Sequence, residues 1–260
     1  MNGTPMSWKR KIFYIISGIL ILIAGSVLSA CSKGHSMNSD WRTASRESAG
    51  IAPNPADTPE SVVQVYAARA FNWRGILGVH TWIATKRQDA DHFIVSEVIG
   101  WRLYRDLSVV AVSQREPDRR WFGAMPEILL DIRGDIGEDG EAMIDDIEAA
   151  VARYPYAKKY HVWPGPNSNT FTAFVAREVP GLVLDLPPTA IGKDYLGGSI
   201  VAKTPSGSGF QVSLFGMLGI LVGLEEGIEI NILGLTFGID PKDLAIKLPG
   251  IGRLSPLPDA

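Results

Sequence analysis

Two prolines flanking a single glycine are the tightest constraint in this 260-residue chain. They stand in the stretch Trp163 to Glu178, which begins Trp-Pro-Gly-Pro-Asn-Ser-Asn-Thr-Phe. Pro164 and Pro166 fix φ and remove two backbone donors, and Gly165 is the one residue between them that tolerates φ > 0. An irregular turn is therefore forced. A helix is predicted directly after it, because Asn167 or Ser168 can N-cap and Phe171, Phe174, Val175 and Glu178 recur at i, i+3, i+4 and i+7. Val179 precedes Pro180, which ends the helix. This leaves Ser168 at a helix N-terminus, where free N–H groups and the positive end of the dipole stabilise an anion. Such a position suits a nucleophile.

The N-terminus carries a second strong signal. Lys9, Arg10 and Lys11 precede the apolar run Ile12 to Val27, which closes on Leu28-Ser29-Ala30-Cys31. A basic region, an apolar region and small residues before a cut site make a secretory signal. The last four residues resemble the bacterial lipoprotein processing motif, which implies that Cys31 is lipid-modified and becomes the new N-terminus. Ser32 and Lys33 follow it in place of the aspartate retention signal, so the resemblance slightly favours the outer membrane. The alternative is an uncleaved transmembrane helix, since residues 12–30 approach the roughly 20 that a bilayer requires. Either way residues 1–31 are a signal or anchor, and the domain faces the periplasm.

Cys31 is the only cysteine, which excludes an internal disulfide framework and a cysteine-based zinc site. The formal charge is −3, and residues 1–30 contain three basic residues and no acid, so the remainder carries −6. That argues against a nucleic-acid partner. Residues 32–60, rich in Ser, Asn, Ala and Pro, read as a flexible tether with a solvated His35.

Residues 61–254 are expected to form a single α+β domain with an antiparallel sheet and two main helices. Strands are predicted from Gly75 to Lys86 with His80 in the middle, from His92 to Leu103, from Leu107 to Val112 and from Ile128 to Ile132. Residues 61–69 fit either helix or strand. A helix should open at Asp139 or Gly140 and run to about Tyr154, with Asp145, Asp146 and Glu148 on its solvated face. A short strand is expected from Gly181 to Leu186. Gly192-Lys193 is not a phosphate loop, because Pro187 occupies the upstream glycine position and Asp194 replaces Ser or Thr. The apolar region from Phe210 to Leu224 is too short for a membrane span and is followed at once by Glu225 and Glu226. Alternation at Ile228, Ile230 and Ile232, and again at Leu244, Ile246 and Leu248, predicts a C-terminal β extension.

His80 on a strand and Ser168 at a helix start would form a base and nucleophile pair if the fold brought them within hydrogen-bond reach. The competing reading makes His80 a satisfied, half-buried histidine and Ser168 a cap. No metal site is expected: His80, His92, His161 and Asp185 lack any spacing that brings two ligands together on one element. No cofactor is expected either.

The segments Gly-Val-His-Thr-Trp-Ile, Val-Ile-Gly-Trp, Pro-Asp-Arg-Arg-Trp-Phe-Gly, Trp-Pro-Gly-Pro-Asn-Ser-Asn-Thr-Phe and Leu-Pro-Pro-Thr-Ala-Ile-Gly-Lys-Asp-Tyr together resemble a bacterial family catalogued as domain of unknown function 3750. That family brings no activity with it. The layout is also similar, more weakly, to the circularly permuted papain-like hydrolases, which place a histidine early on a strand and a nucleophilic cysteine within Asn-Cys-x-x-Phe. Here Asn167-Ser168-Asn169-Thr170-Phe171 has serine at the cysteine position, and Glu97 and Ser96 are the candidates for the residue that orients His80. Two functions follow as expectations. One is an envelope hydrolase or transferase using His80 and Ser168. The other is a catalytically silent module that holds a cell-wall or lipid ligand with Trp82, Trp101, Trp163, Asn167 and Asn169.

Overall fold

The structure is a computed structural model and describes residues 7–134 and 137–257. An apolar helix, α1 (Trp8–Ser32), comes first. Five strands follow: β1 (Val62–Arg69), β2 (Val79–Lys86), β3 (Ile94–Val98), β4 (Val110–Gln114) and β5 (Pro126–Arg133). Two helices, α2 (Gly137–Ala152) and α3 (Ser168–Glu178), separate them from a run of seven short strands. These are β6 (Val201–Lys203), β7 (Gly209–Leu214), β8 (Leu218–Gly223), β9 (Gly227–Ile232), β10 (Leu235–Asp240), β11 (Ala245–Leu248) and β12 (Gly252–Leu254). The fold is α+β with two antiparallel sheets, so the C-terminal strands form a sheet of their own.

The first sheet has the order β4-β3-β2-β1-β5. Residues 61–69 are ambiguous by pattern because β1 is central and covered on both faces, and such strands lose the alternation that marks a half-exposed one. Val63, Val65 and Ala67 join Ile83 and Val98 against Ile144, Ile147, Phe171 and Val175 of α2 and α3. The opposite side chains, Val62, Tyr66 and Ala68, pack with Trp82, Phe93 and Val95. The Tyr66 and Trp82 rings stack at 5.5 Å and 7°.

That second face is covered by chain that the sequence alone suggests is a tether. Ser48 pairs with Arg119 in a β-bridge. Asp118 accepts hydrogen bonds from the Ser48 hydroxyl at 2.7 Å and from the Ile51 and Ala52 amides. One buried carboxylate thus collects three donors and holds this segment on the sheet, which corrects the tether expectation for residues 48–52. His35 is likewise not solvated: it is buried, with Nε2 2.8 Å from the Asn72 carbonyl. Burial, offset by the Asn72 carbonyl, lowers its pKa.

The strand expected at Gly181 to Leu186 is not formed. Leu182, Leu184 and Leu186 alternate inward, but the segment joins no ladder. It is an extended filler between α3 and the second sheet.

The second sheet runs β12-β11-β10-β9-β8-β7-β6, a meander in strict chain order. Its polarity is reversed. Gln211, Ser213, Glu229, Asn231, Thr236 and Lys247 are buried, while Phe210, Val212, Ile220, Ile228, Ile230 and Ile246 are exposed. The buried polar side is made tolerable by pairing. Glu229 bonds both Lys193 and Lys247, Lys247 also meets Asp185 at 2.6 Å, and Asn231 donates to Asp194 at 2.7 Å. Burial works against the Lys193 charge, but Glu229, Asp194 and Asp185 outweigh it and hold its pKa above the ordinary value. Buried charges persist only when paired in this way.

Candidate functional site

The turn at Pro164–Pro166 does what its composition demands. Gly165 lies at φ +132°, and a Cβ there would come within 2.8 Å of the Thr170 hydroxyl and 2.9 Å of Tyr195 Cβ. Asn167 is the N-cap of α3. Its Oδ1 accepts from the amides of Asn169 and Thr170, and the Thr170 hydroxyl accepts from the Asn167 amide, completing a capping box. The side-chain Nδ2 of Asn167 donates to the Val162 and Ile191 carbonyls, and that of Asn169 to those of Val79 and Ile191. Both asparagines are buried. Their hydrogen-bonding groups lash α3, β2 and the 187–194 loop together and do not reach toward a ligand.

Ser168 is buried at the first turn of α3. The structure does not bring His80 to it. Successive β2 residues point to opposite faces, and Thr81 takes the α3 side, with its hydroxyl 3.0 Å from Asn169 Oδ1 and 2.9 Å from the Thr172 hydroxyl. His80 consequently points to the other face. A base and nucleophile pair from these two residues is thus corrected by the period-two geometry of a strand.

On its own face His80 is well organised. β2 and β3 pair so that Trp82 lies opposite Glu97, which places Glu97 on the His80 side. His80 Nε2 is 2.9 Å from Glu97 Oε2, and Arg115 from the end of the β4 region donates to Glu97 Oε1 at 2.8 Å. Burial pushes the His80 pKa down, against the opposing pull of Glu97. For Glu97 burial acts to raise the pKa, but His80 and Arg115 outweigh it and the net shift is downward. The network therefore sets the His80 ring, the Glu97 carboxylate and the Arg115 guanidinium in one hydrogen-bonded row, with Nε2 facing Glu97. Of the two candidates on the neighbouring strand, Glu97 and Ser96, Glu97 is the one that bonds His80. Arg115 went unrecognised, because nothing in its local sequence separates it from its exposed neighbours.

Aromatic rings continue outward from His80. Trp121 stacks on the imidazole at 3.6 Å and 10°, and Trp101 lies 5.8 Å from Trp121 at 27°. Trp101 is half exposed, so the column leads from solvent to a buried ring. Trp82 lies inside the core, with Nε1 donating to the Pro117 carbonyl at 2.7 Å. Trp163 is half exposed but donates Nε1 to the Leu233 carbonyl at 2.9 Å, tying the proline turn to the β9–β10 connection. Beside the network lies a cleft of about 450 Å³ whose lining includes Ser48, His92, Phe93, Arg115 and Arg119. Arg115 belongs to both. Among the described residues no three His, Cys, Asp or Glu side chains are grouped as a metal site. His92 pairs with Asp91, and Asp185 with Lys247.

A two-sheet α+β domain with a buried His–Glu–Arg network and an apolar N-terminal helix is the class so defined. The chain belongs to the family described as a protein of unknown function, DUF3750, whose model matches residues 60–195. No curated protein and no solved structure matches it, and the papain-like resemblance gains no support. The family match takes in the first sheet, α2, α3, the proline turn and the His80 network, and ends before β6–β12.

Proposed function

We propose that this is a membrane-anchored cell-envelope protein whose domain binds an envelope component without cutting it. The observation that carries this reading is the placement of His80 and Ser168 on opposite faces of β2, which leaves Ser168 without a base. The ligand surface is the Trp101–Trp121–His80 column with the adjoining cleft at Arg115. Flat aromatic faces beside an arginine suit a ligand with both apolar and anionic parts, such as a cell-wall fragment or a lipid headgroup. The His80–Glu97–Arg115 network sets the position of the ring on which Trp121 rests.

A retained helix is the form of anchoring that the hydrogen bonds support. α1 has the length and apolarity to cross a membrane. Its Ser26 and Ser29 hydroxyls donate to the Pro249 and Ile251 carbonyls, and buried Arg69 donates to Ser29 at 2.7 Å. Cleavage before Cys31 would remove all three. Lipidation remains the second reading because Cys31 is exposed at the end of α1. Metabolic labelling with a fatty-acid analogue, lost in Cys31→Ser together with processing, would establish it.

The binding reading is tested with a serine-directed fluorophosphonate and with soluble cell-wall fragments on the full chain. The expected outcome is no covalent label and a rise in melting temperature that Trp101→Ala removes. Labelling that disappears in Ser168→Ala would overturn the reading in favour of the hydrolase.

A further inference from the structure

The second sheet is built inside out, and its outer face is organised. Its alternation lines up across strands into rows. Phe210 pairs with Val222, Val222 with Ile228, Ile228 with Ile239, Ile239 with Ile246 and Ile246 with Leu254, a chain of apolar partners across six strands. A second row runs Val212, Ile220, Ile230, Phe237, and a third Leu214, Leu218, Ile232. Isolated apolar residues on a surface require no explanation, but contiguous rows do. The sheet buries Glu229 and Lys247 while exposing Ile228, Ile230 and Ile246 beside them.

Apolar outside and polar inside is the arrangement of a sheet whose outer solvent is hydrocarbon. The position of α1 says which hydrocarbon. The last turns of α1 are bonded to the β11–β12 turn through Ser26 to Pro249 and Ser29 to Ile251, and β12 is the edge strand of this sheet. The end of a span-length apolar helix is thus fastened to the margin of the apolar face. Strands of at most six residues fall short of the roughly 9–11 needed to cross a bilayer. Two unpaired edges would also be left in lipid, so the sheet does not insert through it.

We propose that the exposed face of β6–β12 rests on the phospholipid surface beside the point where α1 enters it, making the second sheet a membrane-facing platform. This rests on the reading of α1 as a retained membrane helix, and it adds a second lipid contact to that anchor. The platform holds the domain at the bilayer, so that the His80 side is presented at a set height and not on a swinging tether. Two attachments also bind more firmly than either does alone.

The test uses the full chain in vesicles of phosphatidylethanolamine and phosphatidylglycerol. A benzophenone amino acid is placed at Ile230, at Phe237, at Leu20 in α1, or at Tyr104, which is exposed on the β3–β4 connection. After irradiation, lipid adducts are expected at Ile230, Phe237 and Leu20 and absent at Tyr104. Adducts at Leu20 but at neither Ile230 nor Phe237 overturn the platform and leave the anchor standing. Adducts at the sheet positions without Leu20 refute the membrane helix and overturn the proposal as stated, because the face then meets lipid with no α1 entering beside it. A protein–protein cross-link at Ile230 and Phe237 in place of lipid overturns the proposal, because the face is then covered by a second copy.

Discussion

The two sheets of this protein satisfy the same alternation in opposite senses. In the first, β1 and β2 are buried along their whole length, between α2 and α3 on one side and the segment pinned by Asp118 with the Trp121 loop on the other. In the second, one face holds an ion-paired polar network and the other a set of apolar rows open to the surroundings. The difference teaches that period-two patterning fixes which residues share a face, and that the medium on each side decides which face is buried. Isoleucine between glutamate and asparagine in β9 would point inward in most water-soluble sheets. Here Glu229 points inward because Lys193 and Lys247 meet it there.

Substitutions placed in parallel on the two sheets test that contrast. The largest effect is expected from Glu229→Gln, which leaves two buried ammonium groups without their shared carboxylate and should cost about 3–5 kcal/mol. Urea unfolding of the full chain in detergent reads it. Ile230→Ser, the next residue on the other face, should change stability by no more than about 0.5 kcal/mol in the same assay. Equal losses for the two would mean that the polar side does not organise the second sheet.

Ile83→Ala comes next. Ile83 is fully buried under α2 and α3 in the first sheet, and truncation of such a side chain costs about 2–5 kcal/mol through lost burial and the cavity left behind. Its effect should persist unchanged when lipid is added, whereas substitutions on the β6–β12 outer face should become more costly in vesicles than in detergent. The same lipid dependence for both would erase the distinction between the sheets.

The smallest effect is on the pH profile. The His80 pKa is depressed by burial against the pull of Glu97, so its contribution to stability is present above the unfolded histidine value of about 6.5 and is lost as pH falls below it. His35 titrates in the same sense, also through burial. His80→Gln should therefore flatten, without abolishing, the fall in stability below about pH 6.5. A parent and variant with identical slopes would show that His80 is not held neutral in the folded protein.

Much of the candidate site was legible before any coordinates. The irregular turn, the cap at Asn167, helix α3 and the strand carrying His80 follow from backbone restrictions and local spacing, which act over a few residues. The His80–Glu97 contact was within reach as one of two options on the neighbouring strand. Arg115 and Trp121 were not, because Arg115 stands just past the end of β4 and Trp121 in the loop after it, and no local spacing ties either to His80. The asparagines at 167 and 169 look free in the sequence, and their burial becomes visible only when the 187–194 loop supplies the carbonyls they bond.

The sequence by itself determined an apolar N-terminal helix, an α+β fold and the rigid entry to α3, since each depends on local hydropathy, propensity or proline geometry. Tertiary structure alone decided three further things. It set His80 on the face opposite α3, it pinned residues 48–52 on the first sheet through Asp118, and it turned the second sheet inside out. In each case the deciding partner is remote in the chain. Alternation specifies a pair of faces but carries no sign, and the sign is supplied by whichever distant charges, helices or surroundings meet each face.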